Sequence, residues 1–182
     1  MYLRFLLVLV IWMPSIADAD EMSDRAGKIR SALVYYLTKF VTYPPDDPEH
    51  GQGSIKICLF GQDPINNVLP GVIKNKTAQG RALEIEDFNI SEPTDKSIQE
   101  CEVQFFGSEI KAVGLKALKS ASKGVLTVCS TQKVTWGSCM VQIFEEGNKA
   151  KLAVDIGLLQ AGDLKVSSEL LEVSLVRKPG AE

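Results

Sequence analysis

Four cysteines, Cys58, Cys101, Cys129 and Cys139, and a single histidine, His50, are the side chains best suited to covalent or metal chemistry in this 182-residue chain. Their spacing argues against most of that chemistry. Structural zinc takes Cys and His ligands at short intervals such as C-x2-C, and these cysteines lie 10 or more residues apart. The thiol-redox arrangement C-x-x-C is absent. A Ser-His-Asp or Cys-His set would have to use His50, which sits in the polar loop Asp46 to Ser54 and reads as solvated surface. The chain has no G-x-G-x-x-G after a strand, no G-x-x-x-x-G-K-[ST] and no G-x-S-x-G. Nothing marks two carboxylates as an acid and base pair. The residues read as those of a non-enzyme, with no catalytic set, no metal ligands and no cofactor.

The first residues speak to compartment. Arg4 is the only charge before the apolar run Phe5 to Met13, and Pro14-Ser15-Ile16 leads to Ala17-Asp18-Ala19. A basic start, a short apolar segment and an A-x-A site describe a secretory signal peptide. Cleavage is expected after Ala19, dividing the chain into a leader, 1–19, and one domain, 20–182. The apolar run falls short of the roughly 20 residues that span a bilayer. No cysteine follows the cleavage region, which argues against lipid attachment. A net charge of −3 and a pI near 5.3 argue against nucleic acid as a partner. The 45% hydrophobic content suffices for a core.

In an exported chain, an even number of cysteines favours disulfides, and four cysteines allow three pairings. Cys58 lies inside an expected strand and Cys101 heads another, while Cys129 and Cys139 bracket a loop holding Trp136 and Gly137. Those two pairings, among the three, would close loops of about 43 and about 10 residues, contributing roughly 4 and roughly 2.5–3 kcal/mol in the chain-entropy picture. The bond closing the short loop is expected to be the more exposed and reducible one.

The elements that must position these residues follow from periodicity. Met22, Ala26, Ile29, Leu33, Tyr36 and Phe40 recur at spacings of four and three, with Leu37 and Val41 widening the stripe. They predict an amphipathic helix packed on a sheet and ended by Tyr43-Pro44-Pro45. Ile55 to Phe60 predicts a strand covered on both faces, with a Gly61 turn, Asp63 as a helix cap and Pro64 opening a short helix through Val72. Arg81 to Phe88 alternates as a half-exposed strand. Cys101 to Phe106 and Gly124 to Cys129 are further strands, separated by a helix over Glu109 to Ala121 capped by Ser108. Met140 to Phe144 and Lys151 to Val154 flank a Gly/Asn turn and predict a hairpin. A short helix over Asp155 to Ala161 follows, then a last helix over Glu169 to Val176, capped by Ser167 or Ser168. The pattern predicts an α/β fold: a single three-layer domain, its mostly parallel sheet flanked by helices on both faces, plus a C-terminal hairpin and helix.

Open α/β sheets bind ligands in the crevice beyond the carboxyl ends of their strands, beside helix N-termini. That rule points to Gln62, Asp63, Ser108 and Ser130 as candidate ligand-binding residues. It carries a second function class, a small-ligand sensor.

Several stretches, in order, resemble the YfiR family of exported proteins. They are Ala32 to Pro44 (ALVYYLTKFVTYP), Ile57 to Pro64 (ICLFGQDP), Gly80-Arg81 with Leu83, Cys101 with Val103 and Phe105, Gly124 to Val128 (GVLTV), and Leu164 to Leu171 (LKVSSELL). The resemblance implies a periplasmic regulator without enzymatic activity. It implies binding to the periplasmic sensor region of an inner-membrane diguanylate cyclase, or a similar membrane sensor, and repression of cyclic di-GMP synthesis, hence of biofilm formation. An outer-membrane lipoprotein that relieves the repression is the second implied partner, and a homodimer is a further expectation. It also implies two disulfides, the first joining Cys58 and Cys101 and the second Cys129 and Cys139.

Overall fold

A computed structural model of the chain describes residues 17–44, 53–89, 94–110, 123–147 and 149–180. Most of the leader, His50 and nearly all of the helix expected over 109–121 lie outside them. Helix α1 (Ala17–Phe40) runs into a two-residue strand, β1 (Val41–Thr42). Next come β2 (Ile55–Phe60), α2 (Ile65–Ile73), β3 (Thr77–Ala78), β4 (Arg81–Asp87), α3 (Asp95–Gln99) and β5 (Val103–Phe106). The chain continues through β6 (Leu126–Ser130), the hairpin β7 (Val141–Glu146) and β8 (Lys149–Asp155), and α4 (Ile156–Ala161). It closes with β9 (Lys165–Val166), α5 (Ser168–Glu172) and β10 (Ser174–Arg177).

Eight strands form one sheet in the order β10-β8-β7-β6-β5-β2-β4-β3. The five from β4 to β7 are parallel, β8 returns antiparallel, and β10 lies parallel to β8. The expected α/β architecture is therefore present, with the hairpin built into the main sheet. β2 places β4 on one side and β5 on the other, so the strand order reverses between β2 and β5.

Side-chain alternation divides the core in two. Ile55, Ile57 and Leu59 of β2 join Val103, Phe105, Leu126, Val128, Val141, Ile143, Leu152 and Val154 on one face. There they meet Val34 and Leu37 of α1, Ile65 and Leu69 of α2, and Leu159 and Leu170 of the C-terminal helices. On the other face Cys58, Phe60 and Phe106 pack with Phe88, Ile98 of α3, Cys101 and Cys139. The Phe60 ring stacks on Phe106 with centroids 5.2 Å apart.

Two elements depart from their sequence patterns. In α1 the buried line is Gly27, Ser31, Val34, Leu37 and Thr38, whereas Ile29 and Tyr36 of the expected apolar stripe stand exposed. The cause is the close crossing of α1 and α2: a Cβ on Gly27 would sit 2.8 Å from the Pro64 carbonyl oxygen and 2.9 Å from Val68. Small residues, not large apolar ones, permit that approach. The last helix stops at Glu172 instead of Val176, because residues 174–177 pair with Leu152 to Asp155 along the open side of β8. Tertiary pairing there overrides a helical pattern that contains two β-branched valines, Val173 and Val176. The Ser167 side chain caps α5 through the Leu170 N–H, as one of the two expected serines should.

Candidate functional site

Both disulfides form, with Cα separations of 5.8 Å for Cys58–Cys101 and 6.0 Å for Cys129–Cys139. These are the pairings the resemblance implies. Cys58, Cys101 and Cys139 are fully buried, and Cys129 is half-buried at the end of β6. Both bridges lie on the aromatic face of the sheet.

The reversal of strand order between β2 and β5 marks where an open α/β sheet offers its ligand crevice. Here the two chains leaving those strands press against each other. A Cβ on Gly61 would lie 2.6 Å from the Glu109 carbonyl oxygen, and one on Gly107 would lie 2.6 Å from that of Gln62. Gly61 also takes φ 84°, a left-handed conformation natural to glycine. The Gln62 N–H donates to Glu109 O (3.3 Å) and the Gly107 N–H to Phe60 O (2.8 Å). Ser108 Oγ donates to Gln62 O at 3.4 Å.

Gln62, Asp63 and Ser108 are thus brought together, with Gln62 and Ser108 exposed. Ser130 ends β6 at the same end of the sheet, and no described hydrogen bond joins it to the other three. Asp63 has a fully covered side chain. Its Oδ1 accepts the Ile65 N–H at 3.1 Å, while its own N–H donates to Asn66 Oδ1 at 3.2 Å, so it braces the turn into α2, whose cap position is held by Pro64 rather than by the expected Asp63. Its Oδ2 accepts from Arg30 Nη1 at 3.0 Å, and Arg30 Nη2 reaches Glu145 Oε1 at 3.1 Å. Arg30 therefore clamps α1 to the start of α2 and the end of β7. Asn66 and Asn89 both donate to the Gly61 carbonyl and to the Asp87 carboxylate, bracing the same turn. These partners went unread in the sequence because Arg30 and Asp63 are 33 residues apart and no local pattern couples them.

A second concavity, a cleft of about 440 Å³, is lined by Thr42, Tyr43, Pro44, Gln160, Asp163, Leu164 and Lys165. It lies toward the amino end of β6, since Gly124 donates to Gly162 O and Lys123 pairs with Asp163. Two of its lining residues, Thr42 of β1 and Lys165 of β9, are partners in an antiparallel pair. Among the described residues the buried Tyr43 hydroxyl has no hydrogen-bond partner. Burial, reinforced by the Glu102 charge and opposed by Arg81, pushes its pKa far above the ordinary tyrosine value, so the phenol stays neutral. Beside it Arg81 makes a two-pronged ion pair with Glu102 and donates to the Gly53 and Ser54 carbonyls at 2.9 Å.

The third feature is the outward side of α1. Ile29 is 38% and Tyr36 49% exposed. Tyr36 packs against Tyr35 and Phe40, and Lys39 and Lys76 both approach the Tyr35 ring. This surface holds large apolar groups beside cations, with no polar set arranged for catalysis. Among the described residues no three His, Cys, Asp or Glu side chains gather as a metal site requires. No helix there is long and apolar enough to cross a membrane.

No curated protein matches this chain. A profile of the YfiR/HmsC-like family matches residues 27–174, a span from the middle of α1 to the start of β10 that takes in all four cysteines. That family is one of periplasmic regulators associated with cyclic di-GMP signalling rather than of enzymes, and this chain belongs to it.

Proposed function

We propose that this chain is a periplasmic negative regulator that binds the periplasmic sensor region of an inner-membrane diguanylate cyclase and represses cyclic di-GMP synthesis. In this reading residues 1–19 are a cleaved export signal, and an outer-membrane lipoprotein relieves the repression. The observation that carries it is the family match across nearly the whole folded domain. The α1 surface supports a protein as target, because exposed Ile29 and Tyr36 form the kind of apolar, aromatic anchor that interfaces use. Capture from detergent-solubilised inner membranes tests it directly: the chain should retain a diguanylate cyclase, and deletion of its gene should raise cellular cyclic di-GMP and biofilm. Unchanged cyclic di-GMP on deletion would sink the reading.

A small-ligand sensor is the second reading, favoured by the exposure of Gln62 and Ser108 beside the strand-order reversal. The filled space between β2 and β5 confines such a ligand to the rim around Gln62, Ser108 and Ser130, because both Asp63 oxygens are engaged. A thermal-shift screen of periplasmic metabolites would reveal it. Absence of any shift removes this reading and leaves the first untouched.

A further inference from the structure

α1 carries two lengthwise rows, and the fold buries only one of them. Gly27, Ser31, Val34 and Thr38 are buried. The other row, Ala26, Ile29, Leu33, Tyr36 and Phe40, recurs at spacings of three, four, three and four. Those are the a and d positions of a heptad repeat. At 1.5 Å per residue the row runs about 21 Å along the helix. Its a positions, Ala26, Leu33 and Phe40, are half-buried, and its d positions, Ile29 and Tyr36, are exposed. An apolar row that repeats every 3.5 residues and stays open has the form that packs against a second helix.

The two edges of this row differ in charge. On the inner edge, the e positions, Leu37 is buried and Arg30 is held by Asp63 and Glu145. On the outer edge, the g positions, Arg25 and Lys39 are exposed and make no ion pair among the described residues. The neighbouring carboxylate on α1, Asp24, is engaged by Lys28. Side chains arriving along the row therefore meet open charge only at the outer edge, and there it is positive. A flat lipid surface would touch Ile29 and Tyr36 but pass over the half-recessed Leu33 and Phe40. A rod lying along the row reaches all four.

We propose that this row of α1 receives one amphipathic helix of a partner protein, with apolar side chains along the seam and carboxylates facing Arg25 and Lys39. Resting on the regulatory reading above, that helix belongs to the periplasmic region of the cyclase. The proposal goes beyond that reading by giving the shape and charge of what α1 grips.

Fluorescence anisotropy on the full chain, exported and purified with its disulfides formed, tests it. The probes are two labelled helical peptides of about three heptads, both with leucine at a and d, one with glutamate and the other with lysine at e and g. The expected result is saturable binding of the glutamate peptide, about tenfold tighter than that of the lysine peptide. Arg25→Glu with Lys39→Glu inverts the preference, and Ile29→Ser with Tyr36→Ser abolishes binding of both peptides. All four positions are exposed, so the far-UV spectrum and melting temperature stay unchanged. A chain that binds neither peptide, as it would if the row served a phosphatidylglycerol membrane or a second copy, overturns the proposal. So does binding indifferent to the charge reversal or to the two serine substitutions. Capture from solubilised membranes separates the two readings. A cyclase retained equally by the Ile29→Ser, Tyr36→Ser variant overturns the seam and keeps the regulatory reading. If the unaltered chain retains no cyclase, that reading fails, and the peptides still decide the seam.

Discussion

On the side of the sheet that carries α1 and α2, mostly aliphatic side chains from seven strands form one continuous core with four helices. On the other side a smaller aromatic cluster packs with α3, and both disulfides lie there. The difference follows from what covers each face. α1 is 24 residues long, and Gly27 brings its backbone against α2, so close packing alone suffices. α3 has five residues and buries only Ile98, too short a helix to be stable by itself. There the chain is tied covalently: Cys101, directly after α3, is bonded into mid-β2 at Cys58, and Cys139 is bonded to the end of β6. Cross-links stand where apolar burial is thin.

Breaking the long cross-link should have the largest effect. Cys58→Ser opens a bond of sequence separation 43, and the variant is expected to lose about 4 kcal/mol in urea denaturation. Cys139→Ser opens a separation of 10 and should cost roughly 2.5–3 kcal/mol. Equal midpoints for the two variants would refute this ranking. On the opposite face, Gly27→Ala forces a methyl against the Pro64 backbone and should cost about 1–3 kcal/mol. That loss should be the same with and without a thiol reductant, because no disulfide lies on that side. A Gly27→Ala effect that vanishes on reduction would mean the two faces are not held independently.

The smallest effect concerns the ion pair beside the first disulfide. Lys56 Nζ donates to Glu100 Oε2 at 2.7 Å. The hydrogen bond holds the Glu100 carboxyl below its ordinary pKa and, chiefly through the same bond, Lys56 above its own. A depressed folded-state carboxylate stabilises the fold above its unfolded pKa, about 4.3, and the contribution is lost as pH falls through the folded value. Raised Lys56 adds the converse: its contribution is present below pH 10.5 and lost as pH rises through the folded value. Lys56→Met should therefore flatten the stability profile slightly at both ends, measured by melting temperature against pH. Both groups are largely solvated, so the change is small. A large acid-side loss that persists in the variant would assign it to other carboxylates.

Legibility in the sequence tracked how local each interaction is. β2 is apolar at nearly every position and is covered on both faces, and β4 alternates as a half-exposed strand should. The Asp63-Pro64 helix start, the Gly147 turn with φ 57° and the Ser167 cap follow from residues within a few positions of one another. The candidate site was half legible. Gln62, Asp63 and Ser108 do converge at the strand-order reversal, but Arg30, Glu145 and Asn89 reach it from distant segments. The cleft beside Tyr43 depends on β1 meeting β9, two residues each, and so short a pairing leaves no periodic trace.

By itself, then, the sequence determined the order of the six strands β2 and β4 to β8, the absence of close-spaced metal or thiol-redox motifs, and enough ordered motifs to indicate the family. Each of these is written in alternation, capping chemistry or short spacing, which act over a few residues. Only the tertiary structure decided which face of α1 is buried, since that depends on how near α2 can come to Gly27. It alone turned residues 174–177 from a helical pattern into an edge strand, because β8 had a free side to offer. It also chose one cysteine pairing among the three that four cysteines permit. A disulfide needs two Cα atoms within about 4.4–6.8 Å, a distance that the folding of the sheet sets.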